Sequence, residues 1–144
     1  MLQLSTAALV LATLFAGGAL YISLVEHPAR LQLADGPSLA QWQPSYKRAL
    51  PIQSGLTIAG GAAGLIVGYL STDWRWVAGS ILLLANWPFT LLVIMPVNRR
   101  LMAMREGQAG AGSRAMLEQW GKLHNVRSAL GGATALVFAW ALAG

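Results

Sequence analysis

Cysteine is missing from this chain of 144 residues. Its absence excludes disulfides, thiolate nucleophiles, cysteine-ligated iron–sulfur clusters and cysteine-type structural zinc sites. Charge is nearly as scarce. Asp, Glu, Lys and Arg together make up 10% of the residues, where soluble domains carry about 25%. So few charges cannot coat a surface that faces water. The acidic residues are outnumbered, 5 against 10 basic ones, for a net charge of +5. The basic residues are scattered among loops between apolar segments, not gathered on one face. They point to anionic lipid headgroups and cytoplasmic loops, not to nucleic acid.

What fills the space is apolar: 56% of the chain is hydrophobic. Four stretches are long enough to cross about 30 Å of hydrocarbon, which takes roughly 20 helical residues. They are centred on about 4–25, 51–70, 76–95 and 126–143. No basic residue precedes the first, and it exceeds the hydrophobic core of a cleaved signal, so it reads as a retained span. The chain is one membrane domain over 1–144, and Ser71-Thr72-Asp73 forces spans two and three into a hairpin. The expected architecture is all-α: an up-down four-helix membrane bundle with a long fourth helix. After span one, Asp35-Gly36-Pro37-Ser38 makes a turn, and Ser38 would cap an interfacial amphipathic helix with Trp42 and Tyr46 on one face. Pro44 is tolerated there if it falls in the first turns. Trp74, Trp76 and Trp140 take aromatic-belt positions. Gly60, Gly64 and Gly68 form a small-residue stripe that lets a helix approach closely, within the bundle or in a homo-oligomer.

Nine of the ten basic residues fall in the loops after spans one and three; only Arg75 lies on the other side. That asymmetry orients a cell-membrane protein with loops 26–50 and 96–125 cytoplasmic and both termini outside. It also gathers the polar residues at one level. His27 ends span one, Asn98 ends span three and His124 begins span four, with Tyr46 and Trp42 close by. Pro88 should kink span three, where Asn86 and Thr90 place polar groups that would line a cavity or join helices. In Trp120-Gly-Lys-Leu-His124-Asn-Val-Arg127 the indole, imidazole and guanidinium share a helix face about 60° wide. An apolar pocket with a few placed polar groups suits a small hydrophobic molecule.

Asn86-Trp87-Pro88-Phe89-Thr90, Met95-Pro96-Val97-Asn98 with Leu101, and Trp120-x3-His124-x2-Arg127 resemble the pattern of the anthrone oxygenase-like family of small four-span membrane proteins. The resemblance runs over nearly the whole chain. It implies oxidation of an anthrone to an anthraquinone, with His124, Asn98 and Arg127 as the site and Trp120 and Tyr46 as its wall.

The residues can support that chemistry. The methylene of an anthrone is acidic, and histidine is the natural base near neutral pH. The resulting carbanion reacts with molecular oxygen, the co-substrate, without a cofactor. Asn98 and Arg127 would stabilise the developing negative charge, while Trp120, Tyr46, Trp42, Asn86 and His27 would hold the flat substrate. Two other readings stay open. His27 and His124 could hold copper, non-haem iron or haem, although the chain has neither H-x-x-x-H nor H-E-x-x-H spacing. Alternatively, the bundle binds a lipid or quinone without chemistry, or serves as a subunit of a membrane complex.

Overall fold

A computed structural model gives the structure of residues 1–144, the side chain of Glu106 apart. Four long helices make up the fold: α1 (Leu2–Arg30), α2 (Asp35–Ser71), α3 (Trp74–Ala103) and α4 (Ala111–Ala143). Each is long and apolar enough to cross a membrane, as a multi-pass membrane protein requires. They form an up-down bundle in which α1 packs on α2 and α4, and α3 closes the square against the same two. Among the described residues there is no strand.

The helices outrun the apolar spans. The helix expected after span one is present, and it continues without a break into span two as a single helix. It begins at Asp35, so Ser38 lies inside it, buried and without a hydrogen-bond partner, and is not its cap. Pro44 and Pro51 both sit inside this helix. Their outward, exposed placement leaves the unserved carbonyls off the packed face. Helix α4 likewise starts well before its span. Ser113 serves its first turn by bonding the backbone of Gly110 through both N–H and C=O.

Prolines shape the other two helices. Pro28 and Pro96 each come two residues after a π-helical turn, Ile22–Glu26 in α1 and Thr90–Ile94 in α3. Proline offers no N–H and crowds the carbonyl four residues back. A widened turn is one way a helix absorbs that loss, and such turns cluster at functional sites. The α-helical ladder of α3 is interrupted at Ala85, three residues before Pro88.

Two apolar layers hold the bundle. One, at the end holding the chain termini, gathers Ala8, Ala12, Phe15, Val67, Trp76, Leu83 and Phe138. Trp76 is thus buried on Phe138, whereas Trp74 and Trp140 are exposed and meet edge to face. The second layer joins Leu39, Trp42, Ile94, Val97, Leu101, Leu117 and Trp120 at the other end. There Arg114 clasps the α1–α2 turn, reaching Asp35 at 2.6 Å and the carbonyls of Leu31 and Leu33. On the opposite turn Asp73 caps α3, accepting from the Arg75 backbone N–H and guanidinium. Those hydrogen bonds from Arg75 hold its carboxyl below the usual carboxylate range.

The glycine stripe faces inward. Gly60 lies against Leu83 and Leu11, Gly64 against Ser80 and Phe138, and Gly68 against Val77 and Trp76. Of the two alternatives for the stripe, packing within the bundle is the one seen here: it joins α2 to its neighbours in the same chain. A methyl at Gly64 would stand 2.5 Å from Phe138 Cζ, while one at Gly132 would meet nothing within 4 Å. We expect Gly64→Ala to lower the melting temperature in detergent by several degrees, as overpacking of about 1–3 kcal/mol would. Gly132→Ala should leave it unchanged or raise it slightly. Equal melting temperatures for the two variants would refute the packing assignment.

Candidate functional site

At the Trp120 end side chains from all four helices line one pocket. Helix α1 supplies Ile22, Glu26 and Arg30; α2 supplies Trp42, Ser45, Tyr46 and Gln53; α3 supplies Ile94 and Asn98; α4 supplies Trp120, His124 and Arg127. The two π-helical turns flank it, since Ile22, Glu26 and Ile94 all belong to them. Without those turns the residues beyond each would be rotated away by part of a helical step.

The aromatic groups form one continuous stack. Tyr46 lies parallel to Trp42 at 5.0 Å, Trp42 meets Trp120 edge to face at 5.7 Å, and Trp120 stacks on His124 at 4.8 Å. Such pairs contribute about 0.5–1.5 kcal/mol each beyond burial, so this wall is rigid. Asn98 Nδ2 donates to the Tyr46 hydroxyl at 3.2 Å. The second hydrogen of that amide and the Tyr46 O–H remain for a bound molecule, apart from a weak contact of the hydroxyl to Met95 Sδ.

His124 is held from α1. Its Nδ1 is 3.0 Å from Ser23 Oγ, which is 2.8 Å from Ser128 Oγ, which in turn donates to the His124 carbonyl at 3.4 Å. With Nδ1 engaged, Nε2 is the ring nitrogen left for the cavity. Arg127 is different. Among the described residues its guanidinium has no hydrogen bond and no carboxylate partner, and its buried Nε is unpartnered. Its nearest support is the Phe15 ring, 5.6 Å from its carbon. A buried guanidinium without hydrogen-bond partners is costly, and its donors are open to a molecule in the pocket. Gln53 Oε1, Asn98 Oδ1 and Trp42 Nε1 are also buried without partners around the same space.

Six of the residues anticipated from the sequence therefore meet on one cavity: His124, Arg127, Asn98, Trp120, Tyr46 and Trp42. Asn86 does not join them; it lines a second cavity between α2 and α3. His27 packs behind Trp120 at 5.2 Å and is absent from the wall. Its Nδ1 accepts from Arg30 at 3.2 Å, and its other edge presses on Gly121, where any side chain would overlap Nε2. Of the two nitrogens of His27, Nδ1 is taken by Arg30, while Nε2 is buried against Gly121 without a hydrogen-bond partner. Among the described residues no cluster of three or more His, Asp or Glu offers a metal ligand set.

Sequence reasoning passed over Arg30 as a functional group. Arg30 is 3% exposed, and the cytoplasmic-loop count treated it as a topogenic charge. Its guanidinium bonds Glu26 Oε1 at 2.5 Å and Gln41, and lies 5.9 Å over Trp120. Glu26 Oε1 also accepts from Gln41 and Ser45. The available signal was the i,i+4 spacing of Glu26 and Arg30 across Pro28.

No curated protein and no solved structure matches the chain. A family described as anthrone oxygenase matches residues 42–137, which takes in α3 entire, all but the first seven residues of α2 and all but the last six of α4. The match spans about two-thirds of the 144 residues and includes Trp42, Tyr46, Asn98, Trp120, His124 and Arg127, so the chain belongs to the anthrone oxygenase family.

Proposed function

We propose that this cavity oxidises a flat, apolar phenolic ketone of the anthrone class with molecular oxygen, without a metal or organic cofactor. The observation that carries the reading is Arg127: a guanidinium with no carboxylate, facing the same aromatic-walled cavity as a histidine whose Nδ1 is already held. The family match supports the oxygenase class.

The substrate ring would lie against Trp120, Trp42 and Tyr46. His124 Nε2 takes one proton from the methylene flanked by the two aryl rings. The electron pair left behind spreads to the substrate's carbonyl oxygen, which becomes an oxyanion. Arg127 faces that charge, aided by Asn98 and by the Tyr46 hydroxyl that Asn98 polarises. Dioxygen then accepts electrons from the ring carbon and a C–O bond forms, giving a hydroperoxide after the proton on His124 is returned. Loss of the second hydrogen from that carbon with cleavage of the O–O bond yields the new ketone and one water. Both hydrogens of the methylene and both oxygens of dioxygen are thus accounted for, and dioxygen is the oxidant.

Direction matters in the serine relay. With Ser128 donating to the His124 carbonyl, Ser23 would donate to Ser128 and accept from Nδ1–H. That order suits the tautomer with the lone pair on Nε2, as a base requires.

His124→Ala, folded as judged by its melting curve, should lose at least about a hundredfold in kcat for emodin anthrone above the uncatalysed oxidation. Oxygen uptake and quinone absorbance both read this; a variant as fast as the parent would eliminate the base assignment. Ser23→Ala should lose about tenfold in kcat with little change in KM, because it frees the imidazole to adopt the wrong tautomer. Ser23→Thr, which keeps the hydroxyl, should restore most of the rate. If Thr fails to rescue, Ser23 is only a packing residue.

A further inference from the structure

A second cavity adjoins the first. It lies between α2 and α3. Leu50 and Arg127 belong to both walls; the rest of this one comes from residues such as Ser54, Thr57, Trp87 and Leu91. Leu91 and Trp87 are 50% and 39% exposed, on the outer face of a bundle that a bilayer would cover. The mouth therefore opens sideways toward lipid, next to the π-helical turn that begins at Thr90.

The interior is not uniformly apolar. Asn86 is 2% exposed, and its Nδ2 donates to the Leu83 carbonyl at 2.9 Å. That bond fixes the amide so that Oδ1 is an acceptor, and Oδ1 has no partner. Thr90 Oγ1 and Arg127 Nε are buried and unpartnered too. Buried polar atoms are nearly always bonded, and each exception costs about 1–3 kcal/mol. Here an orphaned acceptor and an orphaned donor line one lipid-facing cavity. A carboxylate would satisfy Arg127 but would set its charge against Asn86 Oδ1. A hydrocarbon chain would satisfy neither. A neutral ring system bearing both a hydroxyl and a carbonyl satisfies both, the hydroxyl donating to Asn86 and the carbonyl accepting from Arg127.

We propose that this second cavity is a binding site for a neutral, apolar hydroxy-ketone taken from the bilayer, from which the first cavity is loaded past Arg127. The ligand class rests on the orphaned polar atoms. The loading role rests on the oxygenase reading given above.

The probe is 1,8-dihydroxyanthraquinone, a neutral molecule with neighbouring hydroxyl and carbonyl groups, titrated onto the protein in lipid nanodiscs. The parent should bind two equivalents per chain. Ser54→Phe, which fills the second cavity and leaves the wall of the first alone, should bind one. It should also raise KM for emodin anthrone about tenfold while kcat changes little. His124→Ala should still bind two. A single equivalent in the parent, unchanged in Ser54→Phe, would overturn the site. Two equivalents with an unchanged KM in Ser54→Phe would overturn the loading role. A parent that binds two equivalents but turns over no anthrone would refute the oxygenase reading and leave the site standing.

Discussion

Two backbone N–H groups that do not exist, at Pro28 and Pro96, govern the polar end of this bundle. In hydrocarbon a carbonyl without a donor is costly, and a helix interrupted by proline must redistribute its bonds. Here both helices do so with a π-helical turn in the same register, ending two residues before the proline. One turn carries Glu26 and brings Arg30 under Trp120; the other carries Ile94 and sets Asn98 beside Tyr46. The cavity is the space between two such distortions on opposite corners of the square, and α2 and α4, without a π-helical turn, supply its other walls. Packing elsewhere allows this. The glycine contacts pull α2 tightly onto its neighbours at the other end, so the bundle is narrow there and can part at the cavity.

Much of this was readable from residue order. Scarce charge and four apolar runs sufficed for the bundle, because a helix that must cross lipid has few alternatives. Trp120, His124 and Arg127 could be placed on one face by helical periodicity alone, and short connections put Asn98 and Tyr46 at the same level. What periodicity cannot supply is the phase of a helix after a distortion. The π-helical turn at Ile22–Glu26 shifts everything beyond it. His27 therefore falls behind Trp120, and Glu26 with Arg30 takes the wall that His27 was expected to share. Asn86 lies on the far side of the Ala85 break, with its phase set by Pro88, and faces a different cavity. The Ser23–His124 contact joins residues at opposite ends of the chain, where no local pattern speaks.

The electrostatics of the site are uneven in a useful way. Arg30 has a partner on its own helix, and Glu26 collects every donor near it onto one oxygen. That pair is spent on structure. Arg127 is spent on nothing inside the protein, and the polar atoms left bare around it are divided between two cavities. A neutral ring with oxygens at its edge is the kind of guest that repairs such a deficit without bringing a new charge into lipid.

The i,i+4 pairing of Glu26 with Arg30 has a consequence for how the protein is made. Helix α1 leaves the ribosome long before α4 exists, and a lone arginine near its end would resist insertion. Because its counter-charge lies one turn away on the same helix, α1 enters the membrane already neutralised and waits there. Arg127 has no such companion and comes last, after its three neighbours are in place. The unpaired cation of the cavity thus lies on the last helix to be synthesised, and the paired one on the first.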